Sequence, residues 1–281
     1  MSRPSFLLGS LLLAAVVAAP VAAQVAVTGS VGNIAPLVAS VSFGSSFDPT
    51  ANGNTAVPVT AVITDTNGCS DVNGGASTVT ASIVKASDGS VAVPPVAMAF
   101  VGCALGVQAT FTKDLDMPYH AAATAYKVAI TATDRATASI SILSVGTFAY
   151  TSLVAIGTST PSGFSFGPGV TPGSSSPANQ GIAIHNGGNS VVDATVLGTD
   201  LTLASPAATI PVGSIKYSLN PDMSASAALA ASSATLTGFD LAAGADSSRT
   251  LYLQLVAPSA AGQYVPAGSY TGTLTVGVVE G

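Results

Sequence analysis

From Ala56 to Thr64 alternate positions sort onto two faces. Val57, Val59, Ala61 and Ile63 fall on one face, and Pro58, Thr60, Val62 and Thr64 on the other. A period of two carried by β-branched residues predicts a strand with one face in a core. The strand runs into a polar turn that holds Asp65, Asn67, Gly68, Cys69 and Asp71. Similar patterning predicts strands over Leu37–Phe43, Thr78–Val84, Val96–Val101, Val107–Thr112, Tyr126–Thr133 and Ala138–Ser144. Between them lie turn residues: Asp48-Pro49, Asn52-Gly53-Asn54, Asn73-Gly74-Gly75, Asp88-Gly89 and Asp116-Met117-Pro118. Short strands with regular turn punctuation predict a β-sandwich over residues 35–147.

The alternation resumes in the second half and predicts a second β-sandwich over residues 148–281. Its expected strands are Leu153–Gly157, Phe164–Phe166, Gly181–His185, Val192–Leu197, Ile215–Leu219, Ala234–Leu236, Thr250–Ala257 and Ser269–Val278. Gly167-Pro168-Gly169, Thr171-Pro172-Gly173 and Asn186-Gly187-Gly188-Asn189 are turn signals. Ala225–Ala231 reads as one helical turn or as an Ala-rich loop. At the other end, residues 24–34 begin with the uncharged, alternating QVAVTGSV and read as an N-terminal strand or a linker. Such a segment pairs back onto its own domain, frays as a mobile terminus, or adds to a sheet edge of a neighbouring copy and builds a filament.

Composition sharpens the class. Only 7% of residues are charged, against 48% hydrophobic, with 29 Gly, 17 Pro and one Glu, Glu280. Helices normally clothe their outer faces in Lys, Glu and Arg, so this balance favours strands and turns, an all-β chain. The formal net charge is −6, and Lys85, Lys113, Lys127, Arg135, Lys216 and Arg249 are scattered. No basic patch exists to neutralise a phosphate backbone, so nucleic acid is not an expected partner. Met1–Ala23 has the form of a secretory signal peptide: Arg3, an apolar run from Phe6 to Ala19, and the small residues Val21-Ala22-Ala23. The alternative is an uncleaved anchor, but the run is short and broken by Pro20. Residues 136–192 also lack charge, yet Ser, Thr and Gly interrupt them, and no transmembrane segment is expected after the leader.

A secreted chain with two cysteines, Cys69 and Cys103, is expected to pair them in one disulfide. Asp65, Asn67 and Asp71 form D-x-N-G-x-x-D, oxygen ligands at the short spacings calcium uses; the plain reading is an Asx-type turn. Tyr126 precedes the inward Val128 near the last pair of strands. There it is either a tyrosine whose hydroxyl bonds the preceding loop or a half-buried aromatic. His120 and His185 neighbour neither an acid nor a nucleophile in a known motif, and the acids sit mostly in turns. An enzyme is therefore not expected, and no cofactor is expected beyond calcium. Tyr119, Tyr150, Tyr217, Tyr252, Tyr264 and Tyr270 are spread over both halves. Gathered on one face they would stack sugars; dispersed, they are core and strand-pair aromatics.

NIAPLVASVSF, VPVTAVITDTNGCSDV and YKVAITATD resemble the Ig-like modules of secreted archaeal cell-surface proteins. FSFGPGVTPG, IHNGGNSVVDATVLGTDLT, IPVGSIKYSLN and PAGSYTGTLTV resemble the β-sandwich that often follows such a module. The same patterns recur in bacterial surface proteins. The resemblance implies a non-enzymatic structural or adhesive component of an envelope or extracellular filament. Its partners would be other surface proteins or further copies of itself. Many such proteins are longer and anchored, whereas no anchor is visible here. The rival expectation is an extracellular ligand-binding module, for instance for polysaccharide.

Overall fold

The computed structural model describes residues 28–159, 163–178, 180–245, 247–259 and 265–281. The leader expected over Met1–Ala23 lies outside these residues, as do residues 24–27. Residues 28–33, the rest of the expected N-terminal strand or linker, carry no regular secondary structure.

From Ile34 onward the chain is all-β. Its first ten strands are β1 (Leu37–Ser42), β2 (Ser46–Phe47), β3 (Thr55–Thr64), β4 (Thr78–Lys85), β5 (Val91–Ala97), β6 (Ala99–Ala104), β7 (Gln108–Met117), β8 (Ala125–Thr133), β9 (Ser139–Leu143) and β10 (Phe148–Tyr150). One sheet has the order β1-β3-β7-β6. The other has the order β2-β10-β8-β4-β5, with β9 also on β8. The alternation of β3 is realised: Val57, Val59, Ala61 and Ile63 are buried, and the residues between them face outward. In β8 the buried set is Tyr126, Val128, Ile130 and Ala132. These faces, with Phe111 and Leu115 of β7 and Val79 and Ile83 of β4, share one core. Two sheets each with a single apolar face must close on each other to keep it from water.

Two boundaries differ from the sequence reading. Val96–Val101, expected as one strand, is divided at Met98. β5 pairs with β4 in one sheet, and β6 pairs with β7 in the other. Met98 is the crossing point, buried, with its N–H bonded to Val79 O at 2.9 Å. Phe148–Tyr150 pairs with β8 and β2, and Phe148 sits inside the first core. Phe148 is ringed by Phe43, Phe47 and Tyr126 at centroid distances of 5.8, 5.2 and 5.8 Å. Aromatic pairs at such separations add to burial.

The later strands are β11 (Ile156–Thr158), β12 (Gly181–Asn186), β13 (Val192–Gly198), β14 (Leu201–Leu203), β15 (Ala208–Ile210), β16 (Ile215–Ser218), β17 (Ala227–Ala228), β18 (Ala234–Thr235), β19 (Ser248–Leu255) and β20 (Leu274–Glu280). They form the sheets β11-β12-β19-β16-β17 and β18-β13-β20, with β14-β15 as a separate pair. A second core gathers Ile182, Ile184, Val196, Leu251, Leu253 and the fully buried Phe239. Phe164–Phe166 is not a strand. Its two rings pack edge-on at 5.1 Å, between Gly163 and Gly167, both at positive φ, where extended pairing ends. Ala225–Ala231 is not helical either, because Ala227–Ala228 pairs with β16.

Candidate functional site

Both inward alternations continue one step beyond their last apolar residue and end on an acid. On β3 the series 57, 59, 61, 63 reaches Asp65, and on β8 the series 126, 128, 130, 132 reaches Asp134. Each acid is buried, at 1% and 0% exposure respectively. A third acid arrives on the short helix α1 (Cys69–Val72), which carries the half-buried Asp71. One carboxylate oxygen from each of Asp65, Asp71 and Asp134 lies within 4.8 Å of the others. β3 and β8 belong to opposite sheets, so the cluster sits where both sheets end.

Backbone bonds fix this end. Asp65 N–H donates to Val107 O at 2.9 Å, Cys69 N–H to Gly106 O at 3.0 Å, and Arg135 N–H to Asp71 O at 2.9 Å. Gly68 leads into α1 at φ 108°, a conformation a side chain would strain. Asp65 Oδ1 accepts the Asn67 N–H at 2.7 Å, and Asp134 Oδ1 accepts the Ala138 N–H at 2.8 Å. Asp65 Oδ2 is buried without a hydrogen-bond partner. Burial raises the Asp65 carboxyl above its ordinary value; the Asn67 N–H opposes this, and the negative charges of Asp71 and Asp134 add to it. Of the residues expected as ligands, the structure thus brings Asp65 and Asp71 together and adds Asp134. The Asn67 side-chain oxygen instead accepts the Ile34 N–H at 2.9 Å. The grouping offers oxygen donors alone, which suits a hard divalent cation.

Cys69 and Cys103 are joined in a disulfide that ties α1 to β6. Tyr126 is buried, and its hydroxyl donates to Ala122 O at 2.9 Å, four residues upstream. Tyr150 donates to Pro118 O at 3.2 Å. Two tyrosines thereby hold the loop between β7 and β8. Burial raises both hydroxyls above the ordinary tyrosine value. Unfolding releases that constraint, so the stability these groups contribute is complete below pH ~10 and is lost as pH rises through their raised values. Tyr126→Phe is expected to lower stability by about 1 kcal/mol at neutral pH. It should also soften the alkaline fall in Tm, read from melting curves between pH 7 and 11.

The same loop receives the second half of the molecule through the turn His185–Asn189, whose last four residues are buried. Asn189 Nδ2 donates to Ala121 O at 3.0 Å and to Thr151 O at 2.8 Å, while its Oδ1 accepts the Leu153 N–H at 2.6 Å. Asn52 N–H donates to Gly187 O at 3.0 Å, and His185 Nε2 shares a hydrogen bond with Asn52 Oδ1 at 3.0 Å. A Cβ on Gly188 would overlap the Leu153 carbonyl oxygen, so only glycine permits this approach. His185 therefore bonds an amide across the joint between the two cores. His120 stacks edge-on to Tyr119 at 5.1 Å. The sequence signalled the turn but not its role, because its partners Asn52, Ala121 and Leu153 lie far away in the chain. Of the dispersed tyrosines, Tyr150 is buried and Tyr217 and Tyr270 pack against the second core.

No family model matches this chain, and no curated protein matches it. Among solved structures it is similar to the C-terminal domain of the AgI/II polypeptide BspA of Streptococcus agalactiae. That similarity has 11% identity over 85% of this chain and 92% of that one, with a TM-score of 0.23. A second structure, titled BspA_C_mut, matches at 10% identity over 86% and 94%, TM-score 0.22. The secreted serine protease VesC from Vibrio cholerae matches at 11% identity over 85% of this chain and 51% of its own, TM-score 0.19. Likeness at this level defines neither a family nor an activity. Fold and sites define an all-β sandwich protein with two cores, a disulfide, an acid cluster and a bonded joint. Among the described residues no helix is long and apolar enough to cross a membrane.

Proposed function

We propose that this chain is a secreted, non-enzymatic structural or adhesive protein of the cell surface, made of two tandem Ig-like sandwiches. The boundary between them falls after Tyr150, the last residue of the first core. The observation that carries this reading is the joint at His185–Asn189. In that turn His185, the Gly187 carbonyl and Asn189 bond Asn52, Ala121 and the connecting segment and fix one sandwich against the other, which is what a spacing element requires. The disulfide supports an oxidising location. Support for partners that are other surface proteins or further copies of the chain comes from β6. That strand is the outer member of its sheet and leaves Phe100 and Val101 exposed, and an unpaired edge accepts another strand.

Labelling intact cells with a membrane-impermeant amine reagent, followed by comparison of cell attachment with and without the gene, tests the proposal. The chain is expected to be labelled on whole cells or found in the medium, and its loss is expected to weaken attachment or envelope integrity. A chain protected inside intact cells would contradict the reading.

A further inference from the structure

We propose that Asp65, Asp71 and Asp134 bind one calcium ion that joins the end of β3 to the end of β8. Three observations carry this, and the first is placement. Two acids occupy core-facing positions at the ends of strands in opposite sheets, where an apolar residue would continue the pattern. A buried carboxylate is costly unless it is paired, hydrogen-bonded or coordinates a metal. The second is the unused oxygen. Asp65 is 1% exposed and Oδ2 has no hydrogen-bond partner, although Oδ1 is satisfied by the Asn67 N–H. The negative charges of Asp71 and Asp134 act on Asp65 in the same direction as its burial.

The third is spacing. Calcium–oxygen distances of 2.3–2.6 Å place ligands of one ion at most ~5 Å apart. The three oxygens here lie within 4.8 Å of one another. An all-oxygen set excludes the preferences of zinc and copper, and calcium tolerates irregular geometry that magnesium does not. Asp65 and Asp134 would supply the buried ligands and Asp71 the one nearest solvent, with water completing the shell. An extracellular module of this kind binds calcium with Kd on the order of 0.1–1 mM.

The test uses the secreted full chain, stripped with a chelator, then melted and titrated with calcium chloride. At about ten times Kd, calcium is expected to raise Tm by roughly 3–6 °C. Calorimetry is expected to give one ion per chain. Asp65→Asn keeps an acceptor for the Asn67 N–H but removes one buried charge. It is expected to melt at or above the parent in chelator and to lose the calcium shift. Should that variant not fold, Asp71→Asn, on the half-exposed ligand, is expected to weaken calcium binding at least tenfold. A parent chain that shows neither a Tm shift nor binding heat at 10 mM calcium overturns the site. So does a shift that survives unchanged in the folded variants. A shift of equal size with magnesium chloride overturns the assignment to calcium.

Discussion

Replacing Cys69 and Cys103 together with serine is expected to lower stability by about 3–4 kcal/mol, or roughly 10 °C in Tm. The cysteines are 34 positions apart, and opening that loop returns its conformational freedom to the unfolded chain. A second effect is local. The helix Cys69–Val72 has four residues and no side-chain cap, far too short to hold itself together. The disulfide and a few backbone bonds keep it in place, and it carries Asp71. Differential scanning calorimetry of the oxidised parent, the reduced parent and the double-serine variant checks the prediction. The two disulfide-free forms should melt alike and well below the oxidised form. Equal melting of all three would mean that the bond constrains nothing the folded chain needs.

Asn189→Ala is the second large effect. The substitution deletes three hydrogen bonds and leaves the Leu153 N–H and the Ala121 and Thr151 carbonyls without the partner they now have. Losing partners for partly buried backbone groups costs about 2 kcal/mol. That cost falls on the joint, because the groups released lie in the connecting segment and in the loop held by Tyr126 and Tyr150. An increase of 2 kcal/mol in local opening corresponds to a roughly thirtyfold larger open population. Cleavage within residues 151–159 under limited proteolysis should therefore accelerate by at least tenfold. Ser218→Ala is the control. Ser218 is buried, and its hydroxyl donates to Ser224 O at 2.8 Å and accepts the Asn220 N–H at 3.0 Å, within the second sandwich. That variant should lower Tm without exposing the connecting segment.

Much of the architecture was legible because it rests on one rule, the alternation of faces along a strand. Val57 to Ile63 and Tyr126 to Ala132 told their burial directly, and compartment with cysteine count told the disulfide. The same rule also pointed to Asp134. The phrases VITD and ITATD each end an inward series on an acid, but the D-x-N-G-x-x-D spacing contains only the first of these two acids, so a local motif does not reach Asp134. The crossing at Met98 was hidden because residues 96–101 look uniformly apolar, and apolarity does not say which sheet a strand joins. The role of the His185–Asn189 turn was hidden for another reason. Its composition signals a turn, while its function lies in contacts with Asn52, Ala121 and Leu153, which no local pattern encodes.

The central claim is that this chain works outside the cell as an oxidised, two-core scaffold, and one mass spectrum addresses it most directly. The protein is recovered from the producing cells and their medium, alkylated without reduction, and weighed intact. The account predicts a chain in the medium or surface fraction that begins near Gln24 and takes up no alkyl group. A chain confined to the cell interior, retaining Met1–Ala23 and alkylated at both Cys69 and Cys103, would contradict it.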